Sequence, residues 1–187
     1  MIEWAVSWPL LEAGRYQAIA LHMFAHGGML HLAFNMMALI ALGPAVMDRI
    51  GPLKLRNWAV FFGLFFATGL CGLGLWLAFN MDSNVPMLGA SGAIFGLLGF
   101  LLRLPDPDGA PIPLVSRATG SAFVTWLKLH IPLLVIVLAP MLLGGSAIGL
   151  AWESHLGGFI GGLLLTGPLR ALADPWPKAP TAGTAYP

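Results

Sequence analysis

The chain has 187 residues, is 58% hydrophobic and only 9% charged, with a formal net charge of +1. Soluble domains carry about 25% charged residues, so this composition excludes a water-soluble globule and implies a polytopic membrane protein. The near-neutral balance argues against nucleic acid as a partner, and the single cysteine, Cys71, excludes an intrachain disulfide.

In chain order, residues 1–25 are apolar in places but broken by Glu3, Glu12 and Arg15, which predicts an interfacial or outer-loop segment. The start lacks the basic region of a signal peptide. Five apolar segments follow, at 31–46, 58–79, 91–102, 129–143 and 152–169, and predict an all-α bundle of about five membrane spans. The third and fourth fall short of the roughly 20 residues that a perpendicular span needs. From Asp174 the chain is rich in proline, and a disordered cytoplasmic tail is expected there. The expected organisation is therefore an N-terminal segment over 1–25, a transmembrane domain over 26–172 and a tail over 173–187.

Arg49, Lys54 and Arg56 follow the first segment, Arg103, Arg117 and Lys128 lie between the third and fourth, and Arg170 and Lys178 follow the last. Eight of the nine basic residues thus fall on one side, which the positive-inside rule makes cytoplasmic. The loops at 80–84 and 144–149 contain none. Five spans then leave the N-terminus outside, as expected of a chain whose first span is missing or whose start is inserted unusually.

Three motifs stand at the outer ends of these segments: HGGMLHLAFN (His26 to Asn35), GASG (Gly89 to Gly92) and SHLGG (Ser154 to Gly158). Polar groups are costly in lipid, and each marks a candidate functional site. At about 1.5 Å of rise per helical residue, Asn35 lies roughly 21 Å from Arg49, Ser91 roughly 18 Å from Arg103 and His155 roughly 22 Å from Arg170. All three reach a similar height, about 10 Å below the outer edge of a hydrocarbon core about 30 Å thick. The helix of Ser91 starts below that edge, which is tolerated only where protein or a water-filled cavity surrounds it.

Ser91 and His155 are the candidate nucleophile and general base, the minimum equipment for hydrolysing an amide. Gly89 and Gly92 flank the serine and suit a tight turn that exposes its hydroxyl. Gly92, Gly96 and Gly99 share one helix face, Gly158 and Gly162 share a face with His155, and Gly157 and Gly161 form a second pair. Small residues four apart let helix backbones approach closely, as a Ser–His hydrogen bond requires. The bland alternative is that these glycines only pack helices. His31 and Asn35, one turn apart on one face, can both donate to a developing oxyanion; for Asn35 an interhelical hydrogen bond is the alternative. His26 precedes the helix and is read as ordering the loop. His22, four residues before it, raises a metal site, but no carboxylate or cysteine completes one, so no metal is expected. Glu153 lies nearly opposite His155 on its helix and makes a poor third member. His130, close to the start of the fourth segment, is read as incidental and near the cytoplasmic end.

These motifs resemble those of the rhomboid intramembrane serine proteases, here of bacterial type. HGGMLHLAFN is similar to the rhomboid His-x4-His-x3-Asn segment, LGPAVMDRIG to the end of the same helix, GASGAIFG to the Gly-x-Ser-Gly nucleophile motif and SHLGGFIGG to the catalytic-histidine helix. The resemblance runs from about Gly14 to Leu172. It implies a Ser91–His155 dyad without an acid, an oxyanion hole of His31, Asn35 and the Ser91 backbone N–H, and His26 in a supporting hydrogen bond. Phe95 falls where an aromatic often packs on the catalytic histidine. The implied activity is cofactor-free cleavage of single-span membrane proteins, in a multi-pass protein of the bacterial cytoplasmic membrane. The chain departs from the family pattern in the outer loop, where Gln17-Ala18 replaces a common Trp-Arg pair, and at Met47, where an acidic residue is usual and Asp48 stands next to it. An inactive helix-binding relative is the rival reading; a small transporter or channel is a third, disfavoured because no charged residue is read as lying mid-span.

Overall fold

The computed structural model describes residues 2–142 and 150–176. Two short helices, α1 (Trp8–Glu12) and α2 (Ala18–Leu21), lead into five longer ones: α3 (Met29–Ile50), α4 (Leu55–Phe79), α5 (Ser91–Arg103), α6 (Arg117–Leu142) and α7 (Trp152–Leu172). The molecule is an all-α polytopic membrane bundle. α3 and α4 are long and apolar enough to span a bilayer, while α5 is apolar but only 13 residues long.

α5 occupies the middle, packed by α3, α4 and α7. Its Ala93, Ile94, Leu97 and Phe100 are buried among Leu64, Phe65, Val46 and Ile50. The outward faces of α3 and α4 stay apolar, with Met37, Ile40, Phe62 and Leu70 exposed. Lipid is as apolar as these side chains, so close helix contact must come from shape rather than from expulsion of water. The glycines supply that shape. A Cβ on Gly158 would strike the carbonyl oxygen of Gly92, and one on Gly162 that of Gly96, so α5 and α7 meet backbone to backbone. Gly157 and Gly161 face α4 instead, where a Cβ would lie 2.6 Å from the Cys71 carbonyl and 2.9 Å from Cys71 Cβ, respectively. α7 thus carries two glycine faces for two neighbours.

At the end of the bundle away from Ser91 three arginines gather the loop after α5. Arg49 donates to Pro105 O at 3.2 Å, Arg103 Nε to Ile112 O at 3.0 Å and Arg170 to Pro107 O at 3.1 Å. At the end nearer Ser91 the N-terminal segment is tied to the bundle. Val6 and Met87 exchange backbone hydrogen bonds of 2.9 and 2.8 Å, and Trp8 Nε1 donates to Leu77 O at 2.8 Å.

Three expectations need correction. The fourth segment begins at Arg117, not at residue 129, and α6 runs for 26 residues. Ser116 stops the preceding loop: its Oγ accepts the Thr119 N–H at 3.2 Å, an N-cap that supplies one of the orphan donors of the first turn. The polar run Thr119, Gly120, Ser121 and Thr125 lowers hydropathy without breaking the helix, which hid these three turns. Lys128 consequently stands inside α6 rather than in a loop, on an exposed position from which its long stem can reach toward the polar boundary. Finally, the start of the tail is held in place. Asp174 N–H donates to Asn57 Oδ1 at 2.8 Å, its carboxylate pairs with Lys54 and Arg56, and Trp176 Nε1 donates to Asp48 O at 2.8 Å. Residues 177–187 of the tail and the loop at 144–149 lie outside the described residues.

Candidate active site

The turn before α5 is fixed by Gly89. Its φ of +120° is a conformation that side chains rarely adopt, and a Cβ there would lie 2.8 Å from His31 Cε1. The Gly89 N–H donates to His22 O at 2.8 Å, which ties the turn to the N-terminal segment. Ser91 is then the first residue of α5, so its N–H has no intrahelical acceptor and points with the positive end of the helix dipole toward the site.

His155, in the first turn of α7, is 4% exposed. Its Nε2 lies 2.8 Å from Ser91 Oγ, made possible by the Gly92–Gly158 contact one turn below. Phe95 stacks on the imidazole with centroids 4.5 Å apart and planes 28° apart. Glu153 turns elsewhere and accepts from Asn80 Nδ2 at 3.3 Å.

The other nitrogen of His155 has a partner in a residue expected to be incidental. His130 of α6 is 2% exposed, and its Nε2 lies 3.0 Å from His155 Nδ1. The early start of α6 explains its place. Measured from Arg117 at about 1.5 Å per residue, His130 stands roughly 20 Å up, the height of His155. The same ruler that matched the three motifs would have found it, given the Ser116 cap. His130 is clamped by Trp126, with ring centroids 4.0 Å apart, and by Phe95 at 4.7 Å.

His31 presents its ring edge to the turn before α5, where a Cβ on Gly89 would lie 2.9 Å from its Nε2. The Gly27 N–H donates to His31 Nδ1 at 3.2 Å, so a neutral His31 carries its proton on Nε2, the atom that faces Gly89. Asn35 is buried, and its Nδ2 donates to His31 O at 3.0 Å along its own helix, which leaves the second amide hydrogen for another acceptor. His26 meets His31 edge to face at 5.2 Å, while its buried Nε2 has no hydrogen-bond partner among the described residues. Its contact with His31 is therefore one of ring packing rather than a hydrogen bond through that atom. His22 bonds back to its own turn, with Nδ1 donating to Ile19 O at 2.9 Å and Ala18 O at 3.2 Å, and burial pushes its pKa below the ordinary imidazole value. Among the described residues no three His, Cys, Asp or Glu side chains are grouped to hold a metal ion.

The structure brings the Ser91 hydroxyl against the His155 imidazole and sets the edge of His31 against the turn that precedes the serine. Such a group can deprotonate a nucleophile and hold an anion beside it. Comparison with known proteins gives the family. The family model described as Rhomboid domain matches residues 13–171. The chain is 29% identical over 160 residues to "Rhomboid protease GluP" of Bacillus subtilis (strain 168), a match covering 86% of this chain and 27% of that protein. It is 30% identical over 145 residues to "RHOMBOID-like protein 4" of Arabidopsis thaliana, covering 75% of this chain and 30% of the relative. Against "Rhomboid protein 1, mitochondrial" of Saccharomyces cerevisiae (strain ATCC 204508 / S288c) the identity is 29% over 150 residues, covering 75% and 38%. The chain thus spans about a quarter to two-fifths of the length of these relatives.

Proposed function

The chain belongs to the rhomboid family, and from that premise we propose that it is an intramembrane serine endopeptidase with Ser91 as nucleophile and His155 as general base. The observation that carries the reading is the 2.8 Å approach of Ser91 Oγ to His155 Nε2 inside an apolar bundle. Residues 26–172 form the protease domain, and residues 1–25 the outer segment that covers the turn at Gly89.

A single-span membrane protein unwinds near the outer face and offers a backbone carbonyl to Ser91. The hydroxyl proton passes to His155 Nε2 as Oγ bonds to the carbonyl carbon. The oxyanion is met by the Ser91 N–H, His31 Nε2–H and the free amide hydrogen of Asn35. Donors fixed before the reaction act strongly in a site of low dielectric and need no reorganisation. His155 then gives the proton to the departing amine nitrogen, the C–N bond breaks, and an acyl-enzyme on Ser91 remains. Water from the outer side gives a proton to His155 and attacks the ester, and the proton returns to Ser91 as the acid leaves. No cofactor takes part. The setting we assign is the bacterial cytoplasmic membrane.

The test is labelling of the detergent-solubilised chain by a fluorophosphonate probe, beside Ser91→Ala and His155→Ala. Labelling by the parent chain and its loss in both variants, by about 10^4-fold or more, is the expected result. A parent chain that takes no label would point to a family member that binds membrane helices without cutting them.

A further inference from the structure

Beyond the dyad, and resting on the protease reading above, we propose that His130 is a positioning residue that completes a Ser–His–His relay by fixing the tautomer of His155. The polarity of the chain of hydrogen bonds is settled at its far end. His130 Nδ1 lies 3.0 Å from the Trp126 carbonyl oxygen, and a carbonyl can only accept, so Nδ1 carries the proton. A neutral His130 therefore has a lone pair on Nε2. That lone pair accepts from His155 Nδ1 at 3.0 Å, which puts the His155 proton on Nδ1 and leaves its Nε2 lone pair for the Ser91 hydroxyl at 2.8 Å. Each link dictates the next, and the result is the one neutral tautomer of His155 that can act as base.

In the Ser-His-Asp arrangement the third residue holds the histidine in the correct tautomer and orientation, and stabilises the imidazolium that forms. A neutral imidazole does the first two of these by the same geometry and the third through its lone pair alone. The ring is well held for the task. Trp126 and Phe95 pack on its faces, and α6 brings it in on a rigid helix rather than a loop. Glu153, the nearest carboxylate in sequence, is engaged with Asn80 and does not compete for the position. Metal-bound histidines use an acceptor on the far nitrogen for the same purpose, and losing it costs about 10- to 100-fold.

The experiment compares the full chain with His130→Leu, which removes the acceptor but keeps an apolar side chain, and His130→Gln, whose Oε1 reaches as far as the imidazole Nε2 and can accept. Two readouts are taken in detergent: the rate of fluorophosphonate labelling, and the position of the His155 ring proton from 15N NMR of histidine-labelled protein. Melting temperatures check that each variant is folded. The expected result is a labelling rate about 10- to 100-fold lower in His130→Leu, largely recovered in His130→Gln, with the His155 proton shifting from Nδ1 toward Nε2 in the leucine variant only. A leucine variant that labels at the parent rate with its proton still on Nδ1 overturns the proposal. So does an equal loss in both variants with an unchanged tautomer, which would mark His130 as packing. If the parent chain takes no label, the protease reading fails, while the tautomer comparison still decides whether His130 governs His155.

Discussion

The seam between α5 and α7 and the contact that α6 makes with them reach the same imidazole by opposite means. At the seam, Gly92 and Gly96 carbonyls sit against the Cα atoms of Gly158 and Gly162, and no side chain intervenes. α6 instead comes in through side chains, Ala122 and Trp126 against Phe159 and Leu163, and His130 against His155. Backbone contact leaves no rotamer to adjust, so the distance between Ser91 and His155 is set by the helices themselves. A side-chain contact can be changed one group at a time. The seam therefore fixes where His155 stands, and α6 supplies the partner of its second nitrogen.

The largest effect should come from breaking the seam. In Gly158→Val the new Cβ meets the Gly92 carbonyl, a backbone atom that cannot swing away. Overpacking costs about 1–3 kcal/mol where a core can relax, and more is expected here. Probe labelling should vanish along with a sharp fall in melting temperature in detergent; a variant that labels normally would mean the helices can slide apart without loss. Next comes the donor from a third direction. His31→Ala should lower the labelling rate by about 10^2- to 10^3-fold, the range for one oxyanion donor, with the melting temperature little changed. A much smaller effect would assign the oxyanion to the Ser91 N–H and Asn35.

Loosening α6 without touching His130 sharpens the comparison further. Trp126→Leu removes the ring that packs on His130, and Trp126 Nε1 has no hydrogen-bond partner among the described residues, so only packing is lost. Stability should fall by about 1–3 kcal/mol, and labelling by less than in His130→Leu, because the acceptor remains. The smallest effect on labelling belongs to the clasp around Asn57. Asn57 is fully buried and bonds Pro52 O, Asp174 O and Asp174 N. Asn57→Ala leaves those groups unpaired, at about 1–3 kcal/mol. Melting should shift while the labelling rate in the folded protein stays put, since the clasp lies at the other end of α5 and α7.

Much of the fold was legible because its signals are local. Low charge and long apolar runs announce a membrane bundle whatever its packing, and glycines four apart announce close helices. The family motifs were readable in the same way, each within a single stretch of about ten residues or fewer. Where the reading failed, a local average misled it. Hydropathy fell over Thr119 to Thr125, and three turns of α6 disappeared with it, along with the height of His130 and the placement of Lys128.

By itself, the sequence determined the class of the fold, the order of its helices and which residues are able to carry a proton or donate to an anion, because composition, periodicity and side-chain chemistry belong to the chain. Only the tertiary structure decided which nitrogen of His155 faces Ser91 and what stands behind the other. That depends on the rotation of α6 about its axis and on its depth beside α7, which are set by Trp126 and Phe159 packing across helices. A hydrogen-bond relay has a direction, and that direction exists only once all of its members are within reach of one another.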